Sequence, residues 1–101
     1  MSGPVWRNVY DLTEGQIERL DKAEDHMDMM EINEAESILL AILDEVSDCI
    51  PALNILAHLH GRHLSDFERA VEFYDKVLSL EPDNAWARDE RRRYRRYQSY
   101  D

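Results

Sequence analysis

Small residues recur in pairs along this chain of 101 residues. Ala23 and Ala35 return as Ala57 and Ala70, spaced 34 and 35 residues apart. Larger apolar residues keep the same step: Ile32, Leu39, Ile42 and Leu43 are matched 35 residues on by Phe67, Tyr74, Val77 and Leu78. A period in the mid-thirties, with one small residue late in a helix and another early in the next, is the mark of a paired-helix repeat. Such arrays present extended binding surfaces. The small residues have a packing reason, because a side chain larger than a methyl at a close helix crossing pushes the backbones apart.

The helices can be placed from their end signals and faces. Residues 1–12 read as an N-terminal arm carrying Val5, Trp6, Val9, Tyr10 and Leu12. Thr13 and Gln16 then make a capping box. The first helix has one apolar stripe of Ile17, Leu20, Ala23 and Met27, and breaks near Met30 and Glu31. The second buries Ile32, Ala35, Leu39, Ile42, Leu43 and Val46. After Ser47 and Asp48, Pro51 falls in the first turn of a third helix, where proline is tolerated. That helix carries Leu53, Leu56, Ala57 and His60, and Gly61 supplies the expected exit residue. Ser65 and Glu68 read as a second capping box, ahead of a fourth helix with Phe67, Ala70, Val71, Tyr74, Val77 and Leu78 on its inner face. Pro82 stops that helix, and Asp83 or Asn84 caps a fifth from Ala85 to about Gln98.

Taken together, Phe67, Ala70, Tyr74, Leu78 and Pro82, preceded by Ala52, Leu53, Leu56 and Ala57, resemble the tetratricopeptide repeat (TPR) family. The resemblance covers roughly four-fifths of the chain: a repeat at 16–49, a second at 50–84, a capping helix at 85–98 and a tail at 99–101. It implies an all-α fold of about five helices, with antiparallel hairpins stacked as a short TPR-like α-solenoid within a single domain at 13–98. Asn54, His60 and Gly61 depart from the family by replacing aromatics of the first helix, and Ser47 stands where the second repeat has Pro82. The step from Ala57 to Ala70 is one residue longer than that from Ala23 to Ala35, which places an insertion in the Arg62–Ser65 loop.

Composition narrows the function. No apolar run approaches the ~20 residues of a membrane span, and no basic-then-apolar leader opens the sequence, so the expected location is cytoplasmic. Cys49 is the single cysteine, which suits a reducing compartment. The net charge of −10 is unevenly spread. Residues 1–87 hold 19 acids and 6 bases, whereas 88–101 hold 6 arginines against Asp89, Glu90 and Asp101. An acidic body of this kind repels nucleic acid and anionic lipid.

No residue pattern points to catalysis. His58 and His60 diverge on a helix, so His58, His60, His63 and Asp66 do not converge as metal ligands. Cys49 has no basic neighbour in sequence to favour a thiolate. Glycine-rich phosphate loops are absent, and Asp25, Asp28, Glu31 and Glu34 read as a solvated face. No catalytic residue, metal or cofactor is expected.

In TPR proteins the first helix of each repeat lines the concave surface. The resemblance therefore implies a groove lined by Leu20, Glu24 and Met27, then Asn54, His58 and Arg62, then Asp89 and Arg93. Leu20 and Glu24 fall where the carboxylate clamp of some family members would need a cation and an amide, so that clamp is not expected. The expected function is a non-enzymatic adaptor or small chaperone that holds a neutral or basic peptide segment. Two alternatives remain. Arg88, Arg92, Arg95 and Arg96, interleaved with Tyr94, Tyr97 and Tyr100, form a basic patch suited to RNA. A self-associating module is the other, because two repeats leave stack ends that the fifth helix, the arm or a second copy of the chain must cover.

Overall fold

The computed structural model describes residues 10–99 and is all-helical there, with five helices as expected. We label them α1 (Glu14–Asp28), α2 (Ile32–Glu45), α3 (Ile50–His58), α4 (Phe67–Leu80) and α5 (Ala85–Gln98). The arm residues Val5, Trp6 and Val9 and the tail residue Tyr100 lie outside the described residues. The chain forms two compact units, Met1–Ala52 and Leu53–Asp101. No helix among the described residues is long and apolar enough to cross a membrane.

In the first unit α1 and α2 pack on one another as a hairpin. Thr13 and Gln16 form the expected reciprocal cap: the Gln16 N–H donates to Thr13 Oγ1 at 3.1 Å, and the Thr13 N–H donates to Gln16 Oε1 at 3.0 Å. Leu20, Ala23 and Met27 from α1 and Ala35, Leu39 and Ile42 from α2 are buried. Arg19 ties the two helices together at the rim through Glu45, at 2.8 Å.

The turn between them reverses the chain in three residues. The Met30 N–H donates to the Met27 carbonyl at 3.0 Å and the Glu31 N–H to the His26 carbonyl at 2.7 Å. These two bonds satisfy carbonyls that the end of α1 leaves open, in the pattern of a Schellman motif. The motif requires a left-handed residue, and Met30 takes that conformation with φ 63°. His26 Nδ1 lies 2.7 Å from Glu31 Oε1 across the same turn.

In the second unit α4 packs against α5 and against the end of α3. Ala70, Tyr74 and Val77 of α4 and Ala87, Glu90 and Tyr94 of α5 are buried. Aromatic rings fill the space between the two helices. Tyr94 is stacked on Phe67 at 5.9 Å and on Tyr74 at 6.2 Å, and Tyr97 meets Phe67 edge-on at 5.5 Å. Arg91 of α5 pairs with Asp75 of α4. Asn84 caps α5, its Oδ1 accepting from the Ala87 N–H at 2.9 Å.

Three local expectations are corrected around residues 59–66. The extra residue between Ala57 and Ala70 does not sit in an Arg62–Ser65 loop. It is taken up by a wide π turn, Leu59–His63, which continues α3 and closes with the Leu64 N–H donating to the Leu59 carbonyl at 3.2 Å. Gly61 is not the left-handed exit, since no described glycine has positive φ; Ser65 fills that role, with φ 53°. Nor does Ser65 cap α4. Asp66 does, its Oδ1 accepting from the Arg69 N–H at 3.2 Å.

Gly61 has a different purpose. A Cβ built there would lie 2.5 Å from Tyr94 Cζ, so the ring of α5 is seated directly on the backbone of the π turn. The missing side chain lets α5 approach the end of α3.

Candidate functional site: the polar face of the second unit

The residues expected to line a groove fall into two sets. Leu20, Glu24 and Met27 belong to the first unit. Leu20 is 0% exposed and Met27 6%. This is a correction: the stripe that carries them is the packing face of α1, so neither presents a surface to a ligand. Glu24 is half-buried.

The other five residues, Asn54, His58, Arg62, Asp89 and Arg93, all lie in the second unit. Asn54, His58 and Arg62 are spaced four apart on α3 and its π extension, whereas Asp89 and Arg93 are four apart on α5. Electrostatics connects the two helices: Glu90 of α5 acts on His58, and both Arg62 and Arg93 act on the Tyr94 hydroxyl. Arg62, Asp89 and Arg93 are exposed. Asn54 and His58 are half-buried, and Asn54 Oδ1 and His58 Nδ1 are both shut off from solvent without a hydrogen-bond partner among the described residues. A buried polar atom left unpaired costs about 1–3 kcal/mol. Two of them, one helical turn apart on one stripe, are unusual and call for a structural or functional reason.

Burial lowers the His58 pKa below its ordinary value, and the neighbouring His63 lowers it further. The two imidazoles meet edge-on, with centroids 6.0 Å apart. In a regular α-helix a residue five positions on points away from the first; the wider π turn brings it round. His60 instead is buried beside Phe73, at 5.5 Å. Among the described residues no group of three or more His, Cys, Asp or Glu side chains is placed to share a metal ion. Cys49 is buried, and that burial pushes its thiol above the usual range.

Residues absent from the sequence reading of the groove complete this face. Glu90 is only 5% exposed, and its Oε1 lies 3.4 Å from an Arg93 guanidinium nitrogen. Trp86 and Tyr97 are 53% and 41% exposed. Trp86, Glu90, Arg93 and Tyr97 follow the i, i+4, i+7, i+11 spacing of one helical stripe. That spacing was the signal available in the sequence, masked there by the arginines around it.

The competing basic patch has a separate location. Arg88, Arg92, Arg95 and Arg96 are all exposed and share the face of α5 turned away from Ala87 and Tyr94. Arg88 lies 3.5 Å from Asp89, while Arg92, Arg95 and Arg96 make no ion pair among the described residues.

No protein-family model matches this sequence, and neither does any curated protein.

Proposed function

We propose that this chain is a non-enzymatic protein–protein interaction module of TPR-like construction, holding a peptide segment along the α3–α5 face of its second unit. The observation that carries the reading is the pair of unpartnered polar atoms, Asn54 Oδ1 and His58 Nδ1, on one stripe of α3. A small side-chain movement on docking would open these atoms to the backbone N–H groups of an extended segment. Trp86 and Tyr97, exposed on α5, offer the amphipathic rings that commonly anchor a bound chain.

The charges on this face are balanced, with Arg62 and Arg93 set against Asp89 and Glu90. Recognition then rests on backbone hydrogen bonds and aromatic contact, and an acidic partner meets the repulsion of a chain with net charge −10. A neutral or basic segment fits best, in an adaptor or small chaperone. The RNA reading has one observation in its favour, the absence of ion pairs to Arg92, Arg95 and Arg96 among the described residues.

The test is affinity capture from native lysate with wild-type chain, Asn54→Arg and His58→Glu, each variant first checked for unchanged circular dichroism and melting. A partner captured by wild type and lost with both variants supports the reading; one retained by both refutes it.

A further inference from the structure

The charge of this molecule is divided between its two units. Residues 1–52 hold 13 acids and 3 bases, whereas residues 53–101 hold 9 of each. The whole net charge of −10 therefore belongs to the first unit. Within the second unit four of the nine basic residues, Arg88, Arg92, Arg95 and Arg96, share the solvent face of α5.

The two units carry rows of opposite sign with a similar helical step. Along α1, Glu14, Glu18, Asp21, Asp25 and Asp28 are all exposed and follow one another at steps of four and three residues. They line one face over ~21 Å at 1.5 Å per residue. Along α5, Arg88, Arg92 and Arg95 repeat the same four-and-three step, and Arg96 extends the row to ~12 Å. Three of those arginines make no ion pair among the described residues, and neither do Glu14, Glu18, Asp25 and Asp28 of the acidic row. Among the described residues of α1, Lys22 is the cation that flanks it.

We infer that the arginine face of α5 docks on the acidic face of α1 of a second copy of this chain. The occupant is a second copy because this chain itself carries a surface of opposite sign, equal helical step and sufficient length. A polyanion such as RNA would meet the net charge of −10 with no basic surface of its own to offset it, whereas a second copy brings faces of both signs. The contact joins two different patches, so it is heterologous and builds larger assemblies unless the rotation closes. Exposed ion pairs are individually weak, and the association is accordingly reversible and sensitive to salt.

Sedimentation velocity on the full chain tests this. Wild type should self-associate at low ionic strength and lose roughly tenfold or more in association constant between about 50 mM and 500 mM salt. Glu18→Arg/Asp25→Arg and Arg92→Glu/Arg95→Glu should each be monomeric alone, because each cancels most of the charge on one of the two faces and leaves the other without a complement. Mixed together they should associate again, since the intact arginine face of the first variant then meets the intact acidic face of the second. All four positions are exposed, and each variant is first checked by circular dichroism for an unchanged fold. The proposal is overturned if wild type stays monomeric at ~1 mM in low salt, if the charge-reversed chains still associate alone, or if mixing restores nothing. It is equally overturned if wild type binds a labelled single-stranded RNA through Arg92 and Arg95 while its own mass stays monomeric.

Discussion

Replacing Gly61 with alanine should destabilise the second unit, although alanine is the better helix former. The added Cβ would stand 2.5 Å from Tyr94 Cζ and 2.7 and 2.8 Å from the two Cε atoms. Carbon atoms in favourable contact are about 3.5–4.0 Å apart, so the ring must retreat by about 1 Å. It has nowhere to go without disturbing others, because Tyr94 is stacked on Phe67 and on the fully buried Tyr74. Overpacking of this kind costs about 1–3 kcal/mol. Helix propensity returns up to ~1 kcal/mol for Gly→Ala. The net expectation is a loss of about 0–2 kcal/mol, read as a urea midpoint shift or a Tm lowered by up to roughly 15 °C. Gly61→Ala combined with Tyr94→Leu should lose less than the sum of the two single changes, since the smaller side chain removes the collision. A stabilising Gly61→Ala would refute the close-approach argument, as would strict additivity in the double variant.

The other expectations rest on separate sites. Met30 holds a left-handed φ of 63° in the Schellman turn, so Met30→Gly should stabilise by about 0.5–1 kcal/mol in urea titration, and a loss would show that the Met30 side chain packs usefully. Ala70→Trp should cost roughly 1–3 kcal/mol because Ala70 is 0% exposed, and Ser79→Trp on the exposed side of the same helix should barely move the melting curve; equal effects would count against the crossing. Burial and His63 lower the His58 pKa in the folded chain, so the unfolded chain binds the proton first as pH falls. The contribution of His58 is thus complete above its ordinary value of about 6.5 and lost as pH falls toward the folded pKa. Chemical denaturation from pH 8 to 5 should show a slope that His58→Asn reduces, and an unchanged slope would remove His58 as its source.

Much of the helical frame was legible because local rules and the hydrophobic stripe agreed. Thr13 and Gln16 were read as a cap three residues apart and form one. The stripes of α2 and α4 are buried at Ala35, Leu39 and Ile42 and at Ala70, Tyr74 and Val77. The readings that failed cluster between 59 and 66, where competing options cost nearly the same locally. Gly61 suits a helix exit as well as a close packing site, and only Tyr94, a residue 33 positions on, distinguishes them. Ser65 and Asp66 are both good caps, and the register of the π turn selects Asp66.

The candidate site divides along the same line. Leu20 and Met27 were assigned to a groove by analogy, but an apolar residue on a packing stripe is taken by the core before any ligand reaches it. Asn54, His58, Arg62, Asp89 and Arg93 were named from spacing within single helices; that α3 and α5 approach closely enough for Glu90 to act on His58 is a tertiary fact.

The sequence by itself determined the helices, their inner faces and the segregation of charge, because each depends on residues within a few turns of one another. Only the tertiary structure decided which glycine faces a ring, which histidines meet, and which polar atoms are buried without partners. Those properties depend on how far one helix stands from another, and that distance is set by side chains far apart in the chain.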